Sequence, residues 1–589
     1  MFEITPSQQH YGMFIAFPGF PLKAGQRWSR KLIQMKSSAG VCYYSFHAKK
    51  NSKTEAVRHA SHALLRQIEA KGKQSVRALG NLIHRSKSSV SRLWRAKVRR
   101  NLHPESALWE TEQGATWLRL LIFAVLYKFG IQNHIGADAL SDFFKMIRIN
   151  THVGVSPSAM LTQLKRMEEL LPTFQQQCEA STLPGTRKAV LAADETFFSQ
   201  MMILVLMDLS SGYLVLESIE NDRSFDTWFS TTEPRLKALG IEVTHAISDR
   251  AKALIKLAVT GFECASGADV FHEQYGISKW LSSALGRRKA KAQVQCDDAE
   301  NALKTKSSNV SAEETEVLQA QRISAQETLE NADKMQQEYR EQLQAIAEEV
   351  HPFSPEQTAR TTADSVAVGL EKRAQAIESL AVNAGIADKH SAMKKFRAQI
   401  KSLSSHIGVW WLWVEKNLLD LSVDTATQHW LKESLLPVLY WHHQMHKTQN
   451  RAHRIDYRDA WQRAVRHFEA DPFQLGLSTS KLEHWVQWGE WMVRQFHRSS
   501  SAVEGRNGRL SQMYHNGRGL TTKRLAALTV VHNYGLKRSD GTTAAERLFS
   551  SPFPDVFEWL ISQMGDLPLP RKSRDLIKRN PLILQFVPP

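Results

Sequence analysis

The stretch Ala189–Thr196, AVLAADET, and the stretch Met201–Glu220, MMILVLMDLSSGYLVLESIE, decide how this chain is read. Each is a short, β-rich apolar run bounded by turn formers, which is a strand signature rather than a helical one. Ser210, Ser211 and Gly212 split the second stretch and mark a hairpin turn. SFDTWFSTTEPRLKALG (Ser224–Gly240) then reads as a helix, and VTHAISDR (Val243–Arg250) as a fourth strand. AKALIKLAV (Ala251–Val259) reads as a second helix and ADVFHE (Ala268–Glu273) as a fifth strand. The order β-β-β-α-β-α-β predicts a mixed five-stranded sheet, with a hairpin feeding a helical crossover into the same sheet. The first and fourth strands both run directly into an acid, Asp194 and Asp249.

Outward from this α/β core the chain turns helical on both sides. Residues 1–105 carry 20 Lys and Arg against 4 Asp and Glu, a net of +16 in a chain whose total is +17. So concentrated a charge predicts a polyanion partner, because each neutralised phosphate releases counterions. A helical pattern begins near Thr54, and QSVRALGNLIHRSKSSVSRLWRAKVRR (Gln74–Arg100) contains two short helices separated by a polar turn. Val76, Leu79 and Leu82 share a face of the first; Ser86 or Ser88 caps the second; Val90 and Leu93 anchor it. A helix-turn-helix over about 74–97 follows, with Arg77, Lys87, Ser89, Arg92 and Arg95 as candidate DNA contacts. Residues 106–186 form a helical region in which GVSPSAMLTQLKRMEELL (Gly154–Leu171) reads either as a second DNA-binding helix pair or as part of a linking bundle.

After the first part of the core, residues 187–285, strand signals almost vanish up to Gln495. Residues 287–350 predict a long antiparallel helical hairpin with coiled-coil character, and residues 297–350 hold 5 basic against 13 acidic side chains. The tryptophans between Trp410 and Trp491 are expected in the core of an all-α region, so 286–495 reads as a large helical insertion. Residues 496–540 complete the core and 541–589 form a C-terminal tail. Four dispersed cysteines, without a CxxC pair, predict a reducing, cytoplasmic setting; no uninterrupted apolar run reaches the roughly 18 residues a membrane span needs. His442, His443 and His446 offer too few ligands for zinc.

Two carboxylates at neighbouring strand ends repel each other unless a cation intervenes. Hard Mg²⁺ or Mn²⁺ prefers such oxygen ligands, and a pair of ions can clamp the attacking and leaving oxygens of a phosphodiester. A third acid is needed. SSSAVEGRNGRLSQMYHNGRGL (Ser499–Leu520) supplies Glu504 on a helical pattern with Val503, Leu510 and Met513 facing inward. Asn507 lies one turn from Glu504, and Arg506 and Arg509 are expected to reach phosphates, as are Arg518 and Lys523 after the helix. Glu195, beside Asp194, competes for the first ligand position; strand alternation lets only one of the two face the site and favours Asp194. Asp208 and Asp269 are weaker rivals, and ADVFHE places His272 near the same edge.

LAADET, AISDRAKAL and the Ser499–Leu520 block together resemble DDE-type transposases of bacterial insertion sequences, several of which carry a large helical insertion between the second and third acids. The resemblance covers about residues 185–540. It implies an RNase H-like catalytic core with Asp194, Asp249 and Glu504 as the metal-binding triad, with 254 residues between the second and third acids. It implies Mg²⁺-dependent hydrolysis at transposon ends and strand transfer by transesterification. The basic N-terminus would bind terminal repeats in double-stranded DNA, within the nucleoid and as a homodimer. Other readings are an RNase H-like nuclease of another kind, such as a junction resolvase, a non-catalytic DNA-binding protein derived from a transposase, and a coiled-coil scaffold; the scaffold leaves the acid pattern unexplained.

Overall fold

The computed structural model describes residues 74–100, 103–306, 311–388 and 391–570, together with 36–37, 40–41, 64, 68 and 72. The chain divides into residues 1–60 and 61–589. Of the first unit the described part is a minimal antiparallel ladder, Lys36–Ser37 with Gly40–Val41. The helical start expected near Thr54 lies largely outside the described residues.

In the second unit α1 (Val76–Leu82) and α2 (Lys87–Arg100) form a tight helical pair. Ser75 caps α1 through the Ala78 N–H, and Ser86 accepts the N–H of Ser89 at the start of α2. Leu64, Leu79 and Val90 close a small core against Ile68, Val76, Ile83 and Leu93. Ile83, rather than the exposed Leu82, completes the inner face of α1. Gly80 lies where the turn returns: a Cβ there would sit 2.8 Å from the Arg85 carbonyl oxygen, so only glycine lets the chain double back this closely.

The sheet has five strands: β1 (Arg187–Phe198), β2 (Met201–Asp208), β3 (Leu214–Glu220), β4 (Ile241–Ser248) and β5 (Ala265–Ala268). Their spatial order is β3-β2-β1-β4-β5. β1, β2 and β3 pair antiparallel, whereas β4 and β5 run parallel to β1, so the sheet is mixed as expected. α3 (Phe225–Leu239) makes the crossover from β3 to β4, capped by Ser224 and stopped by left-handed Gly240. The expected fifth strand is displaced: the ladder uses Ala265–Ala268, and Val270 already starts a helix, so His272 lies exposed on that helix.

Strand alternation gives the sheet two different coats. Ala189, Leu191, Ala193, Leu204 and Leu206 face a core shared with α3 and with helices Glu112–Val125, Ala137–Met146 and Pro157–Ala180. Ala544 to Leu567 enter that same core, so residues 106–186 and the first part of 541–589 are walls of the sheet domain. Glu112–Gln132 is, among the described residues, the one helix long and apolar enough to cross a membrane, with 50% of that window buried in the protein. The opposite face, Val190, Ala192, Ile203, Val205 and Ile247, receives Val503, Leu510 and Met513.

Between β5 and that second coat lies the helical insertion. It opens with a hairpin of α4 (Val270–Lys306) and α5 (Ala312–Glu349), longer at its base than expected because α4 starts at the end of β5. Trp410, Trp411, Trp430 and Trp441 are buried in a separate insertion core, whereas Trp491 is exposed. The entry and exit of the insertion touch: the Val270 N–H donates to the Arg498 carbonyl at 3.1 Å, and the Ser500 hydroxyl donates to Asp269. The chain then enters α6 (Ser501–Met513) and, after a π-helical turn, α7 (Thr522–Val530).

Candidate functional site

The parallel register pairs Leu191 with Ala246 and Ala192 with Ile247. The last pair stands two residues before both acids, Asp194 within β1 and Asp249 just past the end of β4 at Ser248. Asp249 folds back on the Ala251 N–H at 2.9 Å, and Arg250 takes a left-handed φ of 62°. A non-glycine residue held there is strained. The Arg250 guanidinium is anchored on the Ser266 carbonyl at 3.0 Å and on Ser402 at 2.8 Å, a helix of the insertion.

Glu504 occupies the first turn of α6, where the positive end of the helix dipole favours a carboxylate, and it is solvent-exposed. One turn on, Asn507 donates its amide N–H to Asp194 Oδ2 at 2.7 Å. α6 therefore carries Glu504 to the Asp194 edge of the sheet. Burial and then the Glu504 charge, with smaller contributions from Asp249 and Glu195, push the Asp194 carboxyl up to about 8, against the Glu195 N–H that it accepts at 2.9 Å. The three acids named from the sequence thus converge, and among the described residues none of them forms an ion pair within 4.0 Å.

Glu195 accepts the Trp228 indole N–H at 3.3 Å and lies 3.7 Å from Arg223, yet it stays within reach of the cluster: burial and then the Asp249 charge raise its carboxyl. Asp208 serves the β2–β3 turn through Oδ2, which accepts the N–H and hydroxyl of Ser211, while Oδ1 is buried without a hydrogen-bond partner. Asp269 serves the neck of the insertion through Ser500 and the Phe271 N–H. One acid was missed by the sequence reading: Glu273, on the first turn of α4, is pushed up to about 7 by burial and by Asp269, with Asp249 adding to it and Arg250 opposing. Its signal was the spacing Asp269 to Glu273, one helical turn.

The expected phosphate contacts divide. Arg506 is not available: its buried guanidinium grips Glu217 through two hydrogen bonds, 2.7 and 2.8 Å, and Glu217 also accepts the Thr529 hydroxyl. Arg518 is likewise buried, on Glu168 and the Gly130 carbonyl, both at 2.5 Å. Arg509 bonds the Gln132 carbonyl and Asn133, and Asn507 serves Asp194. Lys523 remains exposed, 3.5 Å from Glu169. In the helical pair, Arg77, Lys87, Arg92 and Arg95 are exposed, and Ser89 is partly so. Ser86, Lys87, Ser88, Ser91, Arg92 and Arg95 line an open groove at the start of α2. Around Glu504, Gly505 and Gly508 present bare helix, with nothing within 4 Å of where a Cβ would stand.

Residues 431–576 match a family described as being of unknown function, DUF6399. The match takes in the end of the insertion, α6 with Glu504, and α7, but neither Asp194 nor Asp249. No curated protein and no solved structure matches the chain.

Proposed function

We propose that this protein is a DDE-type DNA transposase with an RNase H-like core, in which Asp194, Asp249 and Glu504 hold the catalytic metal ions. The observation that carries this reading is the convergence of three carboxylates, Asp194 from within β1, which runs on to Phe198 rather than ending at the acid as expected, Asp249 from just past the end of β4, and Glu504 from a distant helix, so crowded that Asp194 is driven toward holding a proton. The connectivity around them supports it: three antiparallel strands, then two parallel strands, with the first and fourth side by side at the centre. The donor set is all carboxylate oxygen, which suits Mg²⁺ or Mn²⁺ rather than a softer ion. Two such ions would supply charge neutralisation at the attacking and leaving oxygens of a phosphodiester.

The residues themselves do the positioning. Asn507 holds Asp194 Oδ2 and the Glu195 N–H holds Oδ1, which fixes the carboxylate in place. Arg250, pinned by Ser266 and Ser402, fixes the turn that presents Asp249. The Arg506–Glu217 pair seats α6 on the sheet and so sets the height of Glu504. The α1–α2 pair presents its basic groove to the duplex, and two copies bring two ends together. The reaction exchanges one P–O bond for another: water cleaves at an element end, and the freed 3′ hydroxyl attacks the target strand.

The test is cleavage of labelled DNA bearing the element's own flanking ends with Mg²⁺, wild type against Glu504→Gln. The expected result is nicking at the ends by the wild type and binding without cutting by the variant, a loss of at least about a thousandfold. Equal cutting by both removes Glu504 from the site. Binding by both with cutting by neither favours a DNA-binding protein derived from a transposase.

A further inference from the structure

At the other end of the sheet from Asp194 the charge problem is reversed. The β2–β3 turn, the C-terminus of helix Leu436–Lys447, the segment Gln495–Arg498 and the loop at Arg538 meet there. The Ser210 hydroxyl donates to Gln495 at 2.7 Å and lies 3.3 Å from His497 Nε2. Lys447 Nζ is 3.5 Å from the other ring nitrogen of His497, and Arg538 reaches the Ser210 carbonyl at 3.5 Å. Gly212, with a positive φ, lets Arg538 pass over the turn; a Cβ would stand 2.8 Å from its guanidinium. The charged side chains acting on His497 are Lys447 and Arg538, and those acting on Lys447 are Arg498 and Arg538, all of one sign; His443 beside them is pushed down to about 3 by burial and stays neutral. Arg498 itself is used on neutral acceptors, the Ala347 and Val350 carbonyls and the Tyr457 hydroxyl. Among the described residues no carboxylate lies within 4.0 Å of Lys447, Arg498 or Arg538. The helix C-terminus under Lys447 offsets part of this repulsion, and Asp208 and Asp540 act on Arg538 from further off. The remainder calls for an anion.

We propose that Lys447 and Arg538, held in place by His497 and Ser210, form a phosphate-binding site that takes a backbone phosphate of duplex DNA. This rests on the DNA reading above and deepens it. Leu209 hydrogen-bonds Val190, so the pocket lies at the start of β1, four residues before Asp194. At about 3.3 Å per residue that is roughly 13 Å along the strand, a span that one duplex covers in a few base pairs. Unlike the α1–α2 groove, this site lies where the β2–β3 turn meets the insertion helix that ends at Lys447, so it would register the duplex against the acids without reading bases.

The experiment uses the full chain and a 30-base-pair duplex, read by fluorescence anisotropy at several salt concentrations. Arg538→Gln and Lys447→Gln are compared with wild type and with Arg92→Ala/Arg95→Ala; Lys447→Glu serves as a second variant, and the melting temperature of each is measured alongside so that a folding defect is told from a binding one. The expected result is a three- to tenfold weakening for each pocket variant. The slope of log affinity against log salt should fall by about one for each. Wild-type binding with unchanged affinity and slope in the pocket variants overturns the pocket and leaves the DNA reading standing. Absence of duplex binding by wild type overturns both. An inorganic phosphate titration separates the remaining source: if millimolar phosphate raises the melting temperature of wild type but not of Arg538→Gln, while DNA binding is the same in both, the pocket takes a free anion and the backbone assignment falls.

Discussion

Asp194 is a carboxyl that folding forces to keep its proton. Its value of about 8 stands far above the ordinary 3.8 that the unfolded chain restores. The folded state therefore holds a proton that the unfolded state releases, and stability declines as pH rises from about 4 to about 8, at most about 1.4 kcal/mol per pH unit. In a chelator, Asp194→Asn should lack this decline and melt above wild type at pH 8, while the two converge at pH 4. Parallel melting curves across that range would mean that the three acids are not close. Adding Mg²⁺ at pH 8 should raise the melting temperature of wild type and leave Asp194→Asn unmoved. Both acids were legible because each closes an apolar run, although β1 continues past Asp194 to Phe198. Alternation separated Asp194 from Glu195, which bonds Trp228, but it could not show that Asp249 also acts on Glu195.

At the scale of elements, α6 is held by a buried ion pair that sequence reading assigned to DNA. Arg506→Ala leaves Glu217 buried and unpaired and should cost about 3–5 kcal/mol, whereas Arg506→Met with Glu217→Met should be close to neutral. Chemical denaturation of the two variants checks this; a mild effect of the single change would indicate that Arg506 is free for a ligand after all. The signal was present, since Val503, Arg506, Asn507, Leu510 and Met513 form one helical stripe and Arg506 belongs to its apolar side. What spacing could not supply was the partner: Glu217 and Glu168 lie in elements hundreds of residues earlier, and only the fold brings them together. α2 is the opposite case. Its turn, cap and anchors Val90 and Leu93 were readable locally, and Arg92 and Arg95 stay exposed. Arg92→Ala/Arg95→Ala should weaken duplex binding about tenfold without lowering the melting temperature; an unaltered salt slope would remove α2 from the interface.

The whole molecule sets a sheet domain beside a helical one with its own core. The sequence showed that the insertion is helical, but not that residues 106–186 and 544–567 wall the sheet, because an amphipathic helix does not disclose which face it will meet. The far part of the α4–α5 hairpin rests on a small contact of Ala292, Cys296, Leu329 and Ala332. Trimming the tip, residues 299–325, to a short turn should leave the melting temperature within about 5 °C of wild type. If the tip joins two copies, as the homodimer expectation has it, the trimmed protein should nick single ends and lose paired-end cutting. A collapse in melting temperature would show instead that the tip supports the fold.

The neck at Val270–Arg498 and Asp269–Ser500 has a further meaning for how such a chain can change. Because entry and exit already meet, the entropy of closing that long loop is met at one place and depends only weakly on what lies beyond it. The helical module can be lengthened, shortened or exchanged as a cassette, while Glu504, only four residues past Ser500, stays fixed against Asp194.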